Sequence, residues 1–246
     1  MPDNPAVPHL PHDPFAGVAD LAGVGAAAGH ARDAVDALLR QPAIRRDAGR
    51  VAAESAVRGA RASAALAGAD PDNVTDPQVQ GALRAVAEVP SLAASWRERP
   101  RQVLARLHVL AARGTTDDAT LGQPRADLDH TRFDQLLGLA GAPTAAPTVV
   151  VAAIVHGELL ALRPFGSADG LVARAAERVV LVAGGVDTKA VSVPEAGHRL
   201  LERAYLPRHE VYRDDGPEGV AAWVRHCCDA YARGAEEGIA ICRELS

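Results

Sequence analysis

The sequence predicts an all-α protein, a helical bundle interrupted by a short flap loop or hairpin. Three observations carry that prediction. Apolar residues recur at three- and four-residue spacing through most of the chain. Proline near the start of a stretch and glycine at its end mark helix boundaries. No alternating strand–helix rhythm appears anywhere.

Residues 1–14 hold five prolines and no apolar period, and are expected to form an extended arm. From Phe15 to Ala69 the text is helical, with Val35, Leu38 and Leu39 on one face and good helix formers from Arg45 to Leu66. Asp70-Pro-Asp-Asn marks a turn, and Asp76-Pro77 opens a helix to about Val89. The next helix spans about Pro100 to Arg113, with Val103, Leu104, Leu107 and Leu110 on its inner face. Gly114–Asp127 is polar and irregular, a long loop or a short hairpin, and Asp129–Leu139 is helical again. After Gly141-Ala-Pro-Thr-Ala-Ala-Pro comes Thr148–Leu162, apolar on every face, which predicts a buried central helix. A loop from Arg163 leads to a helix from Leu171 to Ala183, ended by Gly184-Gly185. Lys189–Val193 is extended, and helices follow at Pro194–Tyr205 and Pro217–Leu245. The organisation expected is an arm (1–14), N-terminal helices (15–90) and a helical core (91–246).

The 246 residues, 48 % hydrophobic and 23 % charged, have ordinary globular usage and exclude wholesale disorder. Apolar runs stop short of a membrane span and no charged-then-apolar leader opens the chain, so the expectation is a cytoplasmic protein without a membrane partner. The 52 alanines, and Lys189 as the only lysine among 26 basic residues, point to a GC-rich, bacterial genome rather than to nucleic-acid binding. A net charge of −5 and 3 % aromatics argue the same way.

Several motifs fall short. Gly23-Val-Gly-Ala-Ala-Ala-Gly29 has nicotinamide-fingerprint spacing but lacks the preceding strand that would aim it at a pyrophosphate. His9 and His12 lie in the proline-rich arm without further ligands nearby. His226-Cys227-Cys228 with a distant Cys242 lacks zinc-site spacing and reads as core. No metal is expected.

The informative segment is Arg163-Pro-Phe-Gly-Ser-Ala-Asp-Gly-Leu-Val-Ala-Arg174, preceded by Ala152-Ala-Ile-Val-His156. A buried helix, a small-residue loop and a new helix start make a ready anion site. The segment resembles the core of the Fic (Fido) family, whose pattern is His-Pro-Phe-x-(Asp/Glu)-Gly-Asn-Gly-Arg-x-x-Arg and whose activity is transfer of a nucleotide monophosphate, usually AMP, to protein hydroxyls. Pro164, Phe165, Gly170 and Arg174 match without gaps. Ala53-Glu-Ser-Ala-Val-Arg58-Gly59 resembles the inhibitory helix, Ser/Thr-x-x-x-Glu-Gly. The Gly114–Arg125 loop lies where the family has its target-docking flap, and Trp223 where many relatives have tryptophan. The resemblance covers roughly residues 35–240.

What it implies is a site with its chemistry removed. Arg163 stands for the catalytic His, and a guanidinium keeps its proton. Ser167 replaces the metal-binding acid, Ala168 the first loop glycine, Asp169 the Asn and Leu171 the first phosphate Arg; Arg174 persists. Arg58 replaces the inhibitory Glu and would repel Arg174. Asp169 reads best as a helix cap, His156 as a structural histidine, and Arg163 and Arg174 either as partners of Glu158 and Glu177 or, with Gly166 and Gly170, as an anion site. Three readings stay open: a non-catalytic Fic-like protein binding a protein partner and a nucleotide or phosphate, a divergent nucleotidyl or phosphoryl transferase using Asp169 or an unrecognised base, and an unrelated helical scaffold. No cofactor is expected, and ATP with Mg²⁺ belongs to the second reading alone.

Overall fold

The structure is a computed structural model that describes residues 13–246; the expected arm and the His9–His12 pair fall outside it, apart from Asp13 and Pro14. Those two residues depart from the arm. The Asp13 carboxylate accepts from the Ala16 N–H and caps a helix that Pro14 opens. A proline suits the first helical position, where its missing N–H would have had no partner.

Twelve α-helices follow in order among the described residues: α1 Pro14–Ala19, α2 Val24–Leu39, α3 Pro42–Leu66, α4 Pro77–Ala87, α5 Val89–Ala93, α6 Pro100–Ala112, α7 His130–Gly141, α8 Thr148–Leu162, α9 Asp169–Ala183, α10 Pro194–Leu200, α11 Glu202–Asp214 and α12 Gly216–Glu244. There is no strand among them. The flap is a loop containing the single 3₁₀ turn Asp118–Thr120 and one isolated bridge between Arg113 and Thr116. No helix of the described residues is long and apolar enough to cross a membrane. The glycine-rich segment is the start of α2, with Gly23 left-handed at its N-cap and no strand before it.

The expected Pro194–Tyr205 helix breaks at Leu201, and its second part runs on through Pro207 to Asp214. An interior proline removes one backbone bond and crowds the preceding turn. The helix holds because Tyr205, His209 and Tyr212, spaced along one face, are all buried.

The centre is the pair α8 and α9. α8 is buried along nearly its whole length, as its all-apolar sequence requires. α9 buries charged residues instead: Asp169, Arg174, Glu177 and Arg178 all face inward. The long α12 packs across α2, α8, α10 and α11. Trp223 fixes its crossing of α8: the indole donates to the Ala153 carbonyl (2.8 Å) and lies over Gly157, where a Cβ would stand 2.6 Å from the indole nitrogen. Gly197 of α10 similarly meets the Ala230 carbonyl of α12 with no room for a side chain. One hydrophobic core runs from Phe15 to Cys242, so the helices of residues 15–90 share it with the rest.

Candidate functional site

The loop between α8 and α9 carries the expected motif, and its backbone is unusual. Arg163 ends α8 in the left-handed region (φ 47°), Gly166 follows at 72° and Ala168 at 51°. Non-glycine residues adopt this conformation at a cost, and they persist there when their surroundings hold them.

Those holding contacts are explicit. The flap reaches over through Arg125, whose Nε donates to the Arg163 carbonyl (2.9 Å) and Nη2 to the Leu162 carbonyl (3.2 Å), while its backbone N–H donates to the Pro164 carbonyl (2.9 Å). From within, the Asp169 carboxylate accepts the Phe165 N–H (3.0 Å). Asp169 therefore caps the loop rather than the helix: Ala168 occupies the N-cap position of α9, with no side-chain cap bond. Below the loop, the His108 ring stacks on Phe165 at 4.3 Å. His108 Nδ1 accepts from the Gly122 N–H (2.9 Å), which places the ring proton on Nε2, 3.0 Å from Ser167 Oγ. Burial pushes the His108 pKa down to about 4. A neutral imidazole already donating to Ser167 cannot take that hydroxyl's proton, so Ser167 and His108 are not a nucleophile and base.

The loop walls a cavity of about 450 Å³ reached by Arg163, Ser167, Asp169, Gly170, Leu171 and Arg174, together with Leu66 and Ala67 of α3 and Tyr205 and Leu206 of α11. The motif residues thus converge. Arg163 has a side chain 67 % exposed and its Nε lies 3.9 Å from Asp169 Oδ2. Asp169 is buried, its Oδ2 has no hydrogen-bond partner among the described residues, and burial raises its pKa. Arg174 is buried beneath Gly170: Nε donates to Ser63 Oγ (2.8 Å), Nη2 to the Ser63 carbonyl (2.8 Å) and Nη1 to Tyr205 (3.3 Å). Two of its five N–H groups remain, so it lends the cavity floor mainly charge.

Several expectations change. Arg58 does not oppose Arg174; it pairs with Glu54 (2.9 Å), Glu237 (2.7 Å) and Glu244 on the far side of α3. Gly59 faces the buried Arg178–Glu195 pair instead of the cavity. At the end of α3, Ser63 meets Arg174, and Leu66 and the C-cap Ala67 meet the cavity. Glu158 and Glu177 do not serve as partners for the two arginines either. Glu158 is held by Arg132 (2.7 and 2.8 Å) and Tyr212 (2.5 Å).

Glu177 belongs to a second cluster, wholly buried. It accepts from His156 Nδ1 (2.8 Å), Tyr231 (2.6 Å) and His198 Nε2 (3.1 Å), and His156 Nε2 meets the Tyr205 hydroxyl (2.7 Å). His156 is thus structural, as expected, with its pKa pushed to about 4 by burial. Burial alone would raise the Glu177 carboxyl; the two imidazoles beside it more than offset that and hold it well below its usual range. Cys227 joins this cluster, and Cys228 and Cys242 are free and buried.

His108, Arg125, Ser63 and Tyr205 escaped the sequence reading. His108 alone gave a local sign, lying four residues after Leu104 on the inner face of α6.

No family model matches the chain, and no curated protein matches it. Among solved structures it is similar to a Fic family protein from Desulfovibrio desulfuricans G20, with a TM-score of 0.69 and 16 % identity over 89 % of this chain and 74 % of that one.

Proposed function

Taking the Fic fold as the premise, we propose that this protein is a non-catalytic form of that architecture, binding a phosphate-bearing ligand in its cavity and a protein partner around the rim. The observation that carries the reading is Arg163, which brings a permanently protonated guanidinium to the position where the family pattern has its base. The neighbouring substitutions agree: Ser167 offers no charge to a magnesium ion, and the Leu171 side chain offers no donor to a phosphate.

Binding has its own support. Arg174 at the floor, Arg163 at the rim and the start of α9 surround the cavity with positive charge. Asp169 opposes an anion when ionised, but its raised pKa eases protonation beside one. Leu206 on the rim and Leu200 on α10 are 62 % and 69 % exposed, large apolar side chains suited to a partner surface.

A melting series with ATP, other nucleotides and inorganic phosphate, with and without Mg²⁺, tests the ligand. At one hundred times its dissociation constant a ligand stabilises by about 2.7 kcal/mol. Expected is a Mg²⁺-independent shift, weakened in Arg163→Ala, with no transfer from α-phosphate-labelled ATP to protein in a cell extract. Label on protein hydroxyls would overturn the reading and favour a divergent transferase.

A further inference from the structure

We propose that His156, Glu177, His198 and Cys227 form a buried site for a transition-metal dication, zinc in the first instance, that braces α8, α9, α10 and α12 against one another. The site lies behind the cavity, to which Tyr205 links it, and the proposal does not rest on what the cavity binds.

The geometry comes first. Each residue offers one ligand atom, each stands on a different helix, and the four atoms lie within 4.8 Å of one another. Zinc bonds of about 2.0 Å to nitrogen and 2.3 Å to sulfur set tetrahedral edges of about 3.3–3.8 Å. The spacings here straddle that range, from 2.8 Å between His156 and Glu177 upward. Movements of about an ångström bring all four onto one centre.

The donor set suits such an ion. Two neutral imidazoles, a carboxylate and a thiolate balance a dication, and their softness selects zinc, cobalt or iron over magnesium. The orienting shell is also present. His156 holds Tyr205 through its other nitrogen, and Tyr231 anchors Glu177, as metal-binding imidazoles and carboxylates require. The shell is incomplete only at His198, whose Nδ1, like the adjacent His226 Nε2, is buried without a partner among the described residues. Loading moves the His156 proton from Nδ1 to Nε2 and the His198 proton from Nε2 to Nδ1. It also releases one proton to solvent, from the Cys227 thiol. With four protein ligands and no open position, the ion is structural and enters as the chain folds.

The test is elemental analysis of full-length protein from zinc- and cobalt-supplemented cultures. Expected is about one metal per chain, resistant to chelator until unfolding, and a thiolate-to-cobalt absorption band in the cobalt form. Cys227→Ser should lose the band and at least tenfold in metal content, while Cys228→Ser keeps both. Metal-free wild-type protein would overturn the proposal, as would metal retained equally by Cys227→Ser. If that variant fails to fold, the wild-type cobalt spectrum decides: a cobalt form without the thiolate band overturns the site.

Discussion

In the chain without bound metal, lowering the pH from 7 to 5 should weaken this fold steeply, because three histidines are buried in their neutral form. The pKa of His108 and His156 falls to about 4 and that of His226 to about 3, against 6.5 in the unfolded chain, and burial is the first cause in each case. A depressed pKa means that the unfolded chain binds more protons across the window between the two values. The stabilisation is therefore whole above about pH 6.5 and drains as pH falls toward 4. At pH 5 the unfolded histidine is almost fully protonated and the folded one is not, so each group costs about 2 kcal/mol. Three such groups cost about 6 kcal/mol, comparable with the roughly 5–15 kcal/mol of a whole domain. Glu177, whose carboxyl is held low, adds a loss of the same sign at still lower pH. Urea unfolding at pH 7, 6 and 5 measures the drop as a change in midpoint at constant slope. His108→Asn keeps a donor and an acceptor but cannot titrate, and should recover about 2 kcal/mol of the loss. A fall of less than about 1 kcal/mol between pH 7 and 5 would refute the reasoning.

Four further outcomes are expected. Arg163→His alone should not create AMP transfer, since Ser167 and Leu171 still leave metal and phosphate unsupported; label on any protein would show otherwise. Arg174→Ala should destabilise by about 3 kcal/mol, stranding Ser63 and Tyr205 in the interior, which makes it a folding variant in denaturant titration. Gly197→Ala should cost about 1–3 kcal/mol by driving a methyl into the Ala230 carbonyl, read from the same titrations. Arg58→Ala should change stability by less than about 1 kcal/mol, in a salt-dependent way, and leave ligand-induced melting shifts untouched.

Most helices were legible because their boundaries are written locally: Pro77, Pro100 and Pro194 open helices, and the all-apolar Thr148–Leu162 segment had to be buried. α11 was misread at Pro207, where burial of Tyr205, His209 and Tyr212 outweighs the proline. The motif loop was legible as a contiguous string. What surrounds it was not, because His108, Arg125 and Tyr205 come from distant segments and meet only through the tertiary fold. The α3 register slipped for a related reason. Both Ser55 and Ser63 contact arginines of α9, and in the sequence nothing distinguishes which of them faces the cavity. The buried His156–Glu177–His198–Cys227 cluster draws on four helices, so no spacing rule announces it.

The burial of α8 on all sides bears on how the chain is made. Leu162 leaves the ribosome well before α9, α11 and α12, which complete the cover of α8 begun by α1, α2 and α7, and the last of them ends at Glu244. At about 5–20 residues per second, that interval lasts roughly 4–16 s. During it the nascent chain carries an apolar segment that no polar face of its own can shield. A chain stopped short of α12 would leave that apolar surface without one of its covering helices.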